Sequence, residues 1–252
     1  MDHVGRVEVT DAFKILGSPQ PGQLLIVADH ASSFVPPDID LGISQTFHKD
    51  HIAVDIGTME IARMMTEKTS HLAIAGGVSR LVVDLNRYPD ERSVVPEHSD
   101  GVQIHGNRID DGERQRRLDR YFHPYHDQVS RLISELKPSL VLSLHSFTPS
   151  LRSNRNIERP WEIGVLYNYY DTASKLAFRY LEEEKLIVGD QFPYSGKDLN
   201  ATMNRQAEAI DQPYLGVEIR QDLIGNEMGQ RHFAELLLRT CDKVRTGLAS
   251  GG

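Results

Sequence analysis

The run Leu140-Val-Leu-Ser-Leu-His-Ser-Phe147 constrains this chain more than any other stretch. Its first five residues are apolar or small and include no turn former, which suits a strand buried on both faces of a sheet. A histidine and a serine appear where that run stops. Two more runs end in the same way: Leu24–Ala28 leads into Asp29-His30, and Tyr214–Arg220 carries Glu218 and Arg220 near its end. In open α/β sheets the ligand crevice lies beyond the carboxyl ends of the strands. Two imidazoles and a carboxylate at three strand ends could therefore converge on one metal site.

Composition narrows what such a site could serve. The 252 residues suffice for one α/β domain with a sizeable core, expected over 1–252 with its core from about 22 to 247. Charged residues at 25% and hydrophobic ones at 39% describe a soluble globular protein, not a disordered one. A net charge of −8 argues against a general nucleic-acid binder. No apolar run approaches the roughly 18 residues that would span a bilayer. The N-terminal Met-Asp-His-Val-Gly-Arg lacks a signal-peptide pattern, so the expected compartment is the cytoplasm. Cys241 is alone, which rules out an internal disulfide and a thiolate zinc knuckle. A metal would have to be held by His, Asp and Glu.

Read in order, residues 1–21 are weakly patterned and end in a Ser18-Pro-Gln-Pro21 loop. The paired prolines at 36 and 37 keep the segment after His30 irregular. Lys49 to Glu67 reads as a helix with Ile52, Ile56, Asp55 and Met59 on one face. A carboxylate there is costly unless it is paired, hydrogen-bonded or bound to a metal. Leu72–Ala75 and Arg80–Leu85 read as strands separated by Gly76-Gly77, and 96–112 as an exposed, mobile loop. Glu113–Leu136 is helical in pattern, with Pro124 interrupting it. A loop is expected over 147–160, a strand over Glu162–Tyr167, a helix over Thr172–Glu184 and a loop over Gln191–Ala201. The amphipathic stretch Gly229–Val244 closes the chain, with Phe233, Leu236, Leu237, Cys241 and Val244 on its buried face. Strands alternating with helices imply an α/β fold with a largely parallel sheet covered on both faces.

Dinucleotide-binding, P-loop, nucleophile-elbow and His-Glu-x-x-His motifs are all absent. What remains is the strand-end constellation. Asp29-His30-Ala-Ser, Arg80-Leu-Val-Val-Asp-Leu-Asn-Arg87, Leu142-Ser-Leu-His145-Ser and Val217-Glu218-Ile-Arg220 follow one another along the chain. In that order they resemble the signature of the N-formylglutamate amidohydrolase family, which is similar in fold to zinc carboxypeptidases and aspartoacylase-type amidohydrolases. The likeness runs from about residue 22 to 225 and includes Pro124-Tyr-His126.

The resemblance implies a three-layer α/β/α sandwich around a mixed, largely parallel, zinc-carboxypeptidase-like sheet. It also implies a single zinc and hydrolysis of a small N-acyl amino acid, N-formyl-L-glutamate being the family expectation. His30 and His145 match the two histidine ligands. The carboxypeptidase pattern has a Glu three residues after the first His where this chain has Ser33, and Asp55 is the expected third ligand; a capping or salt-bridge role for Asp55 is the alternative. Three N/O ligands and one water would make an open catalytic site, although cobalt, manganese or iron would suit the same donors. Glu218 matches the general base, against a salt bridge with Arg220. Arg80 matches an oxyanion-stabilising Arg, and Asn86 and Arg87 the pair that holds the substrate α-carboxylate. Arg205 and Arg220 are candidates for a second carboxylate, and Tyr194 for a substrate-contacting loop. His123 and His126 are expected in packing or supporting roles, and His48, His51, His98 and His105 on loops or the surface. Two other readings stay open: a carboxypeptidase or amidase for peptide-like substrates such as cell-wall fragments, decided by the loops at 90–112 and 147–160, and a non-catalytic binding protein.

Overall fold

The apolar runs form the middle of a sheet. In a computed structural model, which describes residues 10–18, 20–67 and 69–251, β2 (Leu24–Ala28), β6 (Leu140–Phe147) and β9 (Tyr214–Arg220) lie side by side and parallel. Parallel β3 (Leu72–Gly76) and antiparallel β1 (Phe13–Gly17) extend one side. Antiparallel β7 (Ile163–Leu166) and then β8 (Val188–Asp190) extend the other. The result is a mixed seven-stranded sheet in the order β1-β3-β2-β6-β9-β7-β8, with β1 formed by residues that the sequence leaves weakly patterned.

Both faces are covered because each central strand is apolar or small along its first half. Leu24, Ile26, Leu140, Leu142 and Leu144 pack toward α1 (Thr58–Glu67), α4 (Thr172–Glu183) and α6 (Glu227–Ala249). Leu25, Val27 and Val141 pack toward α3 (His123–Leu136), through Tyr125, Val129 and Ile133. On this second face the strands turn polar toward their carboxyl ends. Val141 is followed at two-residue steps by Ser143 and His145, and Tyr214 by Gly216 and Glu218. Since alternate residues share a face, the functional side chains emerge on the α3 side.

Three expected elements differ. The helix proposed from Lys49 begins only at Thr58; a 3-10 turn at Gln45–Lys49 and irregular turns precede it. Gly57 is the reason, with φ +87° and its α-carbon so close to Ile224 that a Cβ would come within 2.6 Å of the carbonyl oxygen. Asp55 is thus presented from a turn, not a helix face. Arg80–Leu85 is not a strand either: Val82 N–H donates to Ser79 O at 2.8 Å and Asp84 N–H to Val94 O at 2.7 Å. Its apolar residues are buried, but the backbone finds its partners in turns. The 96–112 segment is ordered: β4 (His98–Ser99) and β5 (Val102–Gln103) form a hairpin, and buried Asn107 donates to Leu81 O and Pro96 O at 2.8 Å each. Pro124 does interrupt the following helix. α2 (Asp111–Arg117) passes through a π turn at Leu118–Phe122 before α3, whose first turn holds the proline. A short α5 (Ala201–Gln206) precedes β9.

Candidate active site

Strand register places the first pair. His145 on β6 lies directly opposite Glu218 on β9, both buried. His30 follows β2, the neighbour of β6 on its other side. The turn that carries Asp55 is tied to it, Asp55 N–H donating to His30 O at 2.9 Å. Close packing is possible here because Gly76 ends β3; a Cβ there would lie 2.1 Å from Asp29 O.

Both imidazoles turn the same ring nitrogen toward one oxygen. His145 Nδ1 is 3.0 Å and His30 Nδ1 3.4 Å from Asp55 Oδ2. The three side chains are buried, and one ligand atom from each lies within 4.8 Å of the others. This is a group that could hold a metal ion. Its other atoms are held from behind. His30 Nε2 is 2.7 Å from Asp84 Oδ1, so the Nε2–H donates there and fixes the ring with Nδ1 facing Asp55. His145 Nε2 is 3.1 Å from Ser143 Oγ and 3.7 Å from Asp29 Oδ2, while Tyr125 OH donates to Asp29 Oδ1 at 2.6 Å. Arg80 spans the two acids, with Nη1 3.2 Å from Asp55 Oδ1 and Nη2 3.0 Å from Asp84 Oδ2. Asp55 Oδ2 is thereby left for the histidines.

The electrostatics favour positive charge between these groups. Although burial opposes ionisation, His30 and the His145 hydrogen bond hold the Asp55 carboxyl well below the usual range. Asp84 is held low against burial by Arg80 and His30. Burial and Arg80 act to lower the His30 imidazole, yet Asp84 and Asp55 raise it to about 9. Glu218 behaves oppositely. Burial pushes its carboxyl up to about 7, with His145 drawing it down and the Asp55 charge adding to the rise. Its Oε2 is buried and has no hydrogen-bond partner.

A cavity of about 170 Å³ opens over this cluster, lined by His30, His145, Glu218, Arg80, Asn86, Arg87, Tyr194, His51, Ser146, Phe147, Thr148 and Leu199. Eight expected site residues therefore meet here: seven line the cavity, and Asp55 lies beneath His30 and His145. Asn86 is fixed by accepting the Thr202 N–H at 3.0 Å. Two expected residues do not arrive. Arg205 sits over the Phe122 ring at 5.2 Å. Arg220 is taken up by Asp222 at 2.9 Å and by Pro160 O at 3.1 Å, so it makes no ion pair with Glu218. His51, expected on a loop or the surface, lies in a turn and also lines the cavity. The two acids behind the histidines, Asp29 and Asp84, escape a reading that looks only for ligands. Their signal is adjacency, since Asp29 precedes His30 and Asp84 opens the Asp-Leu-Asn-Arg segment.

The mixed sheet, its helices and the buried His–Asp–His group are those of an amidohydrolase-like enzyme. The N-formylglutamate amidohydrolase family model matches residues 22–225. The chain belongs to that family. Among solved structures it is similar to the gene product Atu2144 of Agrobacterium tumefaciens, at 31% identity over 90% of this chain and 92% of that one, with a TM-score of 0.85. It is also similar in fold to an N-formylglutamate amidohydrolase from Ralstonia eutropha JMP134, at 21% identity over 94% of this chain and 100% of that one, with a TM-score of 0.70. No curated protein matches the chain.

Proposed function

We propose that this protein is a zinc-dependent amidohydrolase that cleaves N-formyl-L-glutamate to formate and L-glutamate. The observation that carries the reading is the convergence of His30 Nδ1, His145 Nδ1 and Asp55 Oδ2 beside the unpartnered Oε2 of Glu218. A divalent ion fits this donor set: His30 Nδ1 is buried without a hydrogen-bond partner, and Asp84 holds the ring's other nitrogen as the outer partner of a ligating histidine does. His30, Asp55 and His145 would hold the ion, which when bound supplies Lewis acidity toward a water and an acyl oxygen.

The remaining chemistry belongs to the chain. Glu218 takes the proton from the attacking water at Oε2 and returns it to the departing amine nitrogen; burial, which raises this carboxyl above the ordinary carboxylate range, suits it to hold the proton between the two transfers. Arg80, already bound to Asp55 and Asp84, lines the cavity as a fixed cation for the oxyanion. Arg87 and Asn86 bind the substrate α-carboxylate, the guanidinium fork matching its two oxygens.

A small substrate is favoured over a peptide by the roof. Asp100, at the tip of the β4–β5 hairpin, accepts from Ser153 N–H at 2.9 Å, Ser153 Oγ at 2.6 Å and Arg152 N–H at 2.8 Å. His51 Nε2 is 2.9 Å from the same carboxylate. The two loops that would flank an open groove are thus stitched together, and about 170 Å³ is below the roughly 300 Å³ at which drug-sized pockets begin. The test is formate release from N-formyl-L-glutamate by chelated and zinc-restored protein. Activity lost with chelator and regained with zinc is expected; turnover indifferent to chelation would overturn the metal role, and none on this substrate the choice of substrate.

A further inference from the structure

Arg159 differs from Arg117, the other buried arginine among the described residues, although both are more than nine-tenths buried. Arg117 has a counter-charge, Glu113 at 3.0 Å, and two further acceptors, Asn107 Oδ1 at 2.8 Å and Val82 O at 3.2 Å. Arg159 forms no ion pair with a carboxylate among the described residues. Its Nη1 donates only to neutral acceptors, Thr148 O and Tyr194 OH, each at 3.1 Å, and its buried Nε has no partner at all. A guanidinium does not shed its proton, and a buried charge is costly without a counter-charge.

Its place in the fold suggests where that counter-charge comes from. The guanidinium carbon lies 5.0 Å from the Tyr194 ring centre and 5.9 Å from that of Phe147. Phe147, Thr148 and Tyr194 are all cavity-lining residues, so the cation stands directly behind one wall of the site. Because the Tyr194 oxygen accepts from Arg159, its own O–H is left to donate, and it makes no hydrogen bond of its own among the described residues. Arg80 is committed to Asp55 and Asp84. Arg205 and Arg220, the other candidates for a second carboxylate, do not line the cavity: Arg205 stands over the Phe122 ring and Arg220 is paired with Asp222.

We infer that Arg159, acting through the Tyr194 hydroxyl, is the positioning residue that selects substrates whose side chain carries a second carboxylate. This rests on reading the cavity as the site of an N-acyl amino acid. Arg159 supplies the positive charge, and Tyr194 supplies the hydrogen bond that meets the carboxylate at the wall. A neutral amide of the same shape would gain the hydrogen bond without the charge.

The test compares acidic with neutral partners of equal size. Wild type and Arg159→Gln, whose amide can still donate to Thr148 O, would be assayed on N-formyl-L-glutamate and N-formyl-L-glutamine. In parallel, L-glutamate and L-glutamine would be titrated calorimetrically into the same proteins. Wild type should favour the acidic member by about tenfold or more in kcat/KM, chiefly through KM, and in binding. Arg159→Gln should lose that preference while treating the glutamine compounds much as wild type does. Equal losses on both would make Arg159 a wall-packing residue and overturn the inference, as would a wild type without acidic preference. If neither substrate is turned over, the proposed reaction fails, while the binding preference still decides the role of Arg159. Should Arg159→Gln not fold, Tyr194→Phe, which keeps the ring beside Arg159, must lower the acidic preference; an unchanged preference contradicts the inference.

Discussion

Asp55 has two oxygens with separate duties. Oδ1 receives Arg80 and Oδ2 faces both histidines, so the residue joins the cation that steadies the site to the donors that could hold a metal. Glu218 stands apart, with one oxygen unpartnered and its carboxyl raised to about 7 by burial. That contrast, a carboxylate kept ionised beside one kept easily protonated, is what a metal ligand and a proton carrier respectively require. Replacing Glu218 with Gln preserves shape and removes only the proton-accepting oxygen. Metal content should stay at the wild-type level, and kcat should fall by about 10²- to 10⁴-fold. Metal analysis and steady-state kinetics on one preparation check this; a kcat within a few-fold of wild type would remove Glu218 from proton transfer.

Among the elements, α3 does more than cover the sheet. Tyr125 reaches Asp29 from it, and one residue later His126 places Nε2 2.9 Å from Leu85 O, fixing the segment that carries Asp84 and Asn86. Burial pushes the His126 imidazole down to about 4. An unfolded histidine titrates near 6.5, so below that pH the unfolded chain binds a proton that the folded one refuses. The stabilisation is complete above about pH 6.5 and drains away as the pH falls toward 4, with about 2 kcal/mol gone by pH 5. His126→Gln keeps an N–H for Leu85 O but cannot titrate. Urea unfolding at pH 7 and 5 should therefore show its loss on acidification to be smaller than wild type's by about 2 kcal/mol; equal losses would mean that His126 is not buried neutral.

The same elements explain what the sequence reveals and what it hides. β2, β6 and β9 are legible because strands buried on both faces must be apolar throughout, so the polar residue that ends each run stands out. Arg80–Leu85 has similar composition but satisfies its backbone in turns, and apolarity alone does not distinguish the two. Asp55 is legible as a carboxylate that burial would make costly, yet its helix is not there, because the left-handed Gly57 interrupts the pattern just before α1. Arg159 is hidden altogether: nothing in a polar loop sequence announces that one of its arginines is buried without a counter-charge.

At the scale of the molecule, the parallel strands align their carboxyl ends on one edge, where β6 and β9 present His145 and Glu218 side by side and the turn after β2 adds Asp29 and His30. The irregular segments supply the rest, with Asp55 before α1, Arg80 to Arg87 after β3, and the hairpin and 147–160 loop clasped above. No helix among the described residues is long and apolar enough to cross a membrane. In the proposed function, His30, Asp55 and His145 together hold one divalent ion. Calorimetric titration of zinc into chelator-stripped wild type and Asp55→Ala tests it most directly. The wild type should bind about one equivalent and Asp55→Ala should bind at least about tenfold more weakly while remaining folded; equal affinity in the two proteins, or no binding to a folded wild type, would contradict it.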